Sequence, residues 1–272
     1  MRTYRNANGP DNQTVDDQGI LGTTQAEWLR RELAASRATW KVIAADMPLS
    51  LVVPDATRIE AVAQGDDGAP LGRELQLAGV LSSIKRHRVR NVVWITTDVH
   101  YTAAHYYDPE KAAFQDFDPF WEFVSGPLNA GAFGPNALDP TFGPRQVFAH
   151  TPPAANASPL AGFQHFGEVN VDGGSGVLTV DLRTGQGVSL WSKTLVPQRQ
   201  YASSGVHQEA AGHAGGNQGL PVADQRLDPR GCRGGAGARR LGDRGRAAGL
   251  VGGRQCAALL RRGGQRVAAG AG

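Results

Sequence analysis

Cysteine is almost missing from this 272-residue chain: the two present, Cys232 and Cys256, lie near the C-terminal end. The first two hundred residues therefore hold neither a disulfide staple nor a cysteine-based zinc site. No run approaches the roughly eighteen apolar residues that a membrane-crossing helix needs, so no transmembrane segment is expected. The opening Met1–Pro10 is polar and carries no signal-peptide pattern, which leaves the localisation unknown. From Arg199 onward Phe, Trp, Ile and Lys are all missing, and about a quarter of the residues are Gly against a usual value of about 7%. A stretch with no sustained period and so few large apolar side chains cannot offset its ordering entropy. Residues 199–272 are accordingly expected to be a disordered Gly/Ala/Arg-rich tail. The composition changes abruptly after a coherent strand, which suggests out-of-frame translation of a GC-rich gene; a natural Arg-rich tail is the alternative.

The net charge of +3 and the pI near 9.1 belong to that tail, because residues 1–198 are mildly acidic. A basic balance confined to such a segment gives little ground for a nucleic-acid partner. The basic run from Lys85 to Arg90 closes a helix, where cations complement the negative end of the helix dipole.

Within residues 1–198 the pattern is helix, strand, helix, strand. Thr24 and Glu27 have capping-box spacing, and Trp28, Leu29 and Leu33 follow as an apolar stripe ending near Ser36. Thr39–Ala45 reads as a buried strand with Asp46 at its end and Pro48 blocking continuation. Leu71, Leu75, Ala78, Leu81 and Ile84 mark a second helix, and Asn91–Thr97 a second buried strand that delivers Asp98-Val99-His100. Short connections between such elements predict an α/β layered sheet. Short β pieces are expected within 101–107 and 113–124, a long Gly/Pro/Asn-rich loop over 126–144, and three successive strands over 163–171, 176–182 and 187–195.

Asp98 and His100 are the candidate site. Ligands of open α/β sheets bind beyond the carboxyl ends of strands, and a carboxylate and an imidazole two residues apart can converge on one metal or on neighbouring metals. By spacing alone, an Asp capping the loop beside an unrelated His accounts for the pair equally well. Asp46, also at a strand end, is a candidate metal contact or a support behind one, with a plain loop Asp as the alternative. Tyr101 and Arg5 are candidate contacts to a substrate phosphate; an interior Tyr with a satisfied hydroxyl and a solvated Arg are the alternatives. His105, His150 and His165 show no ligand spacing and read as structural or exposed.

Beyond these features the chain resembles the C-terminal half of PhoD-type alkaline phosphatases, in the calcineurin-like metallophosphoesterase superfamily. The resemblance is carried by Leu21-Gly22, Gln25, Trp28-Leu29 and Trp40–Ile43, by Val92–Tyr101, by Glu122–Gly131, by Asp139–Pro144 and by Phe166-Gly167 with the strands that follow. It spans nearly all of residues 1–198 in order. It implies a partial two-sheet sandwich flanked by helices with a C-terminal β-meander, and a hydrolase of phosphate mono- or diesters. It also implies iron and calcium as cofactors, with Asp98 and His100 in the place of the family's final ligand motif. Family members are often secreted. The family's upstream ligand motifs do not occur in this sequence, so the chain is expected to be an incomplete fragment, inactive alone and poorly soluble. The competing reading is a non-catalytic remnant or β-rich binding module with a basic tail. No partner protein is evident from the sequence.

Overall fold

The computed structural model describes residues 20–55, 58–59, 61–198 and 267–269. Arg5 and nearly all of the expected tail lie outside the described residues. No described helix is long and apolar enough to cross a membrane.

Helix α1 (Thr23–Ala35) buries Ala26, Leu29 and Leu33 along one face. Its start differs from the capping-box expectation. Gly22 is the N-cap at φ 74°, and no side chain of the helix caps it. The N–H groups of Leu21 and Gly22 donate instead to Oε1 of Gln76 at 3.0 Å each. Gln76 belongs to α2 (Glu74–Arg86), so tertiary packing supplies the acceptor that local sequence was expected to supply. Lys85 and Arg86 occupy the last turn of α2, as the dipole argument requires.

The larger sheet is built from β1 (Lys41–Ala44), β5 (Val92–Thr96), β6 (Thr102–Tyr107), β7 (Phe120–Val124) and β9 (Pro144–His150). Its spatial order is β1-β5-β7-β6-β9, with β1, β5 and β7 parallel and β6 antiparallel to both β7 and β9. Short ladders join β2 (Leu51–Val52) to β8 (Ala137–Leu138) and β3 (Pro54–Asp55) to β4 (Arg58–Ile59). The expected meander is present as β10 (His165–Val171), β11 (Leu178–Thr184) and β12 (Ser189–Leu195). A fourth strand, β13 (Val267–Ala269), pairs with β10 from within the segment expected to be a disordered tail. Strand β9 and the β2–β8 ladder were not anticipated: Arg145, Gln146 and Val147 are exposed and give no buried period to read.

Side-chain alternation in the larger sheet feeds two cores. Ile43, Trp94, Ala103, Phe120 and Val124 join Leu29, Leu33, Leu77, Val80 and Leu81 of the helices. Val42, Val93, Ala104 and Phe123 join Val169, Leu178, Val180 and Leu182 of the meander. Adjacent residues such as Val42/Ile43 and Val93/Trp94 thus face opposite cores, which is why these strands read as continuous apolar runs.

Candidate metal centre

The carboxyl ends of three parallel strands meet at one edge. The Ala45 N–H donates to the Ile95 carbonyl (3.0 Å), the Thr97 N–H to the Asp46 carbonyl (2.9 Å), and the Ser125 N–H to the Thr96 carbonyl (2.9 Å). Asp46, Asp98 and the Ser125-Gly126 turn therefore leave β1, β5 and β7 side by side, in the place where α/β sheets present reactive groups. Asp98 and His100 both adopt left-handed backbone, φ 69° and 61°, on either side of the buried Val99. Asp and His tolerate that region better than most residues, yet it is sparsely populated and costs of order 1 kcal/mol or more each.

His100 is oriented by a single short contact. Its Nδ1 lies 2.6 Å from the Gly131 carbonyl. A carbonyl only accepts, so Nδ1 carries a proton, and the neutral form of the ring has its lone pair on Nε2. The edge of Phe133 packs on the same ring, and the Phe133 N–H donates to the His100 carbonyl. Gly131 is tight here, because a Cβ would collide with the amide of Asn156. At Asp46, the Oδ1 accepts the N–H of Met47 at 2.8 Å.

Tyr101 is placed in the interior. It is wholly buried, and its hydroxyl accepts the Asn136 N–H at 3.4 Å. Burial pushes its pKa up to about 12. Gly134 is pinned against its ring, since a Cβ there would stand 2.5 Å from Cδ1.

Three further clusters are brought together by the fold and have no ligand spacing along the chain. Ligand atoms of Asp66, Glu74 and Asp139 lie within 4.8 Å of one another. Glu74 accepts the N–H groups of Gln64 (2.8 Å) and Leu71 (3.2 Å), while Asp139 accepts those of Gly65 and Thr141, both at 2.8 Å. Burial chiefly, with the neighbouring Asp139 and Asp66 charges adding, raises Glu74 to about 7 against the opposing backbone hydrogen bonds. These acidic groups could take up a cation. Among the described residues they are the one group of three or more such side chains with ligand atoms this close.

The second cluster is buried beneath the segment that follows Asp46. Glu122 receives the Leu49 N–H (2.8 Å), the Tyr107 hydroxyl (2.8 Å) and His105 Nδ1 (3.0 Å), and Glu122 and His105 are wholly shielded from solvent. Burial first, and then the Glu122 charge, push the Tyr107 hydroxyl well above its ordinary range.

The third is a histidine pair. His150 Nδ1 and His165 Nε2 are 2.8 Å apart, and His165 Nδ1 donates to the Gly126 carbonyl at 3.1 Å. Burial lowers His165 to about 4, with the facing His150 adding to that effect against the Gly126 contact. No ligand spacing links residues 150 and 165 along the chain; β9 and β10 bring the two rings together.

The fold is an α/β sheet that carries Asp98-x-His100 beyond the ends of its parallel strands. A family model described as PhoD-like phosphatase matches residues 1–182. The chain belongs to the PhoD-like phosphatase family. A solved chain titled "Structure of PhoD" is similar at 17% identity and a TM-score of 0.33, with 58% of this chain covered. This chain spans 42% of the length of that structure. No curated protein matches.

Proposed function

We propose that the chain contributes Asp98 and His100 to the metal centre of a phosphoric ester hydrolase, with Asp46 close behind them. Family membership supports metal-dependent phosphoesterase chemistry. The observation that carries the assignment to these residues is the 2.6 Å contact from His100 Nδ1 to Gly131, which frees Nε2 for a metal. Such a contact behind a ligating imidazole fixes both its tautomer and its direction. The donor set fits the expected metals: the Asp98 carboxylate suits calcium and the His100 imidazole suits iron. Bound metals would activate a water and neutralise charge on a phosphate under in-line attack. We read the two sheets that share a core as part of the family's two-sheet sandwich.

Among the described residues, Asp46, Asp98 and His100 do not form a group with all ligand atoms within 4.8 Å. A site of two ligands holds a metal weakly, so the chain by itself is expected to bind metal feebly there and to hydrolyse no phosphate ester. Titration with Mn2+ in a Glu74→Gln background, which removes a carboxylate of the separate acidic cluster, should show weak binding that Asp98→Asn and His100→Ala both abolish. Binding unchanged in both variants would remove these residues from the site. Robust metal-dependent hydrolysis of a nitrophenyl phosphate by the purified chain would refute the proposed inactivity.

A further inference from the structure

The loop that carries Gly131 is held by the start of the meander. Gln164, nine-tenths buried, grips Ala130 from both sides: the Ala130 N–H donates to Oε1 at 3.2 Å, and Nε2 donates to the Ala130 carbonyl at 3.0 Å. His165 continues the grip, its backbone N–H donating to the Pro127 carbonyl at 2.7 Å and its Nδ1–H to the Gly126 carbonyl at 3.1 Å. The residue after Ala130 is Gly131, whose carbonyl fixes the His100 ring. Gln164 is anchored in turn, because its own carbonyl accepts the Gly185 N–H from the β11–β12 turn at 2.6 Å. On the other flank Ala132 and Ala157 exchange both backbone hydrogen bonds.

We propose that Gln164 and His165 are positioning residues for His100, acting through the loop 126–131. A loop with glycines at 126 and 131 has many conformations of similar energy. Only one set of them places the Gly131 carbonyl where it can hold the His100 proton on Nδ1. Two consecutive residues of the meander select that set by tying the loop at 126, 127 and 130. The tips of the meander therefore act on a ring carried by the other sheet. The consequence for metal binding rests on the reading of His100 as a ligand; the consequence for the ring tautomer does not.

The test uses the full chain and two readouts. Long-range 15N–1H spectra of the His100 ring report which nitrogen carries the proton, and Mn2+ titration reports affinity. Gln164→Met keeps length and packing but removes both contacts to Ala130. Gln164→Glu keeps the acceptor and loses the donor, and it decides the matter if the first variant does not fold. Asn91→Asp is the control: Asn91 makes the same kind of two-way contact, to Thr39 and Gln198, just before β5.

The expected result is a His100 proton on Nδ1 in the native chain and in Asn91→Asp, and its loss from Nδ1 in the Gln164 variants. Mn2+ affinity should fall 10- to 100-fold in the Gln164 variants, as for other groups that orient a ligating imidazole. A His100 ring that keeps its Nδ1 proton in the folded Gln164 variants overturns the proposal. So does an equal change in Asn91→Asp, which would mark a general loosening. If the native chain binds no Mn2+, the ligand reading falls while the tautomer result still decides this one.

Discussion

Glu74 and His165 impose opposite pH dependences on stability, and Glu74→Gln separates them. Burial raises the Glu74 carboxyl from its ordinary 4.5 to about 7 in the folded chain. Between those values the folded state holds a proton that the unfolded state has released. The contribution of Glu74 is therefore fully present below pH 4.5 and is lost as the pH rises through about 7. At roughly 1.36 kcal/mol per pH unit of displacement, the loss is about 3 kcal/mol. His165 works the other way. Its folded value, about 4, lies below its ordinary 6.5, so the unfolded state binds the extra proton and stability falls as the pH drops from 6.5 towards 4. The two slopes oppose each other where the windows overlap. In Glu74→Gln one slope is gone, because the amide can still accept one backbone N–H but cannot titrate. Urea unfolding followed by tryptophan fluorescence at a series of pH values gives the free energy for each protein. The native chain's advantage over Glu74→Gln should shrink by about 3 kcal/mol from pH 4.5 to 7 and then level off. A difference that stays constant across this range would refute the buried, proton-holding Glu74.

Removing the other titrating group should give the mirror result. In His165→Phe the acid-side loss between pH 6.5 and 4 should disappear, and a curve parallel to the native one would show that His165 is not held neutral. Glu122→Leu strands the buried Leu49 N–H, Tyr107 hydroxyl and His105 ring, at a cost of about 3–5 kcal/mol in chemical denaturation. A loss below about 1 kcal/mol would deny the network its role. Gly134→Ala sets a Cβ 2.5 Å from the Tyr101 ring at φ 94°, so its thermal unfolding should reveal about 2–4 kcal/mol of destabilisation; an unchanged melt would refute that close approach.

The resemblance to PhoD-type phosphatases agrees with the matched family model, and the helix–strand order, the two apolar strands and the meander were all legible from residue periods. The strand before His150 was not, because exposed residues there leave no pattern to read. The motif Glu122-Phe123-Val124 was visible as a family feature, but its physical reason was not. Only the pairing of β6 with β7 sets Glu122 against His105, and only the fold brings Leu49 to its other oxygen.

By itself the sequence determined that Asp98 and His100 leave the carboxyl end of a buried strand, since strand ends and apolar runs are properties of neighbouring residues. Tertiary structure alone decided what surrounds them. It set the Gly131 carbonyl behind the His100 ring, clamped that loop with Gln164, paired His150 with His165, and assembled Asp66, Glu74 and Asp139. Each of these contacts joins residues separated along the chain through sheet register and loop closure. Those are settled by what the whole core buries, and no local pattern of residues encodes them.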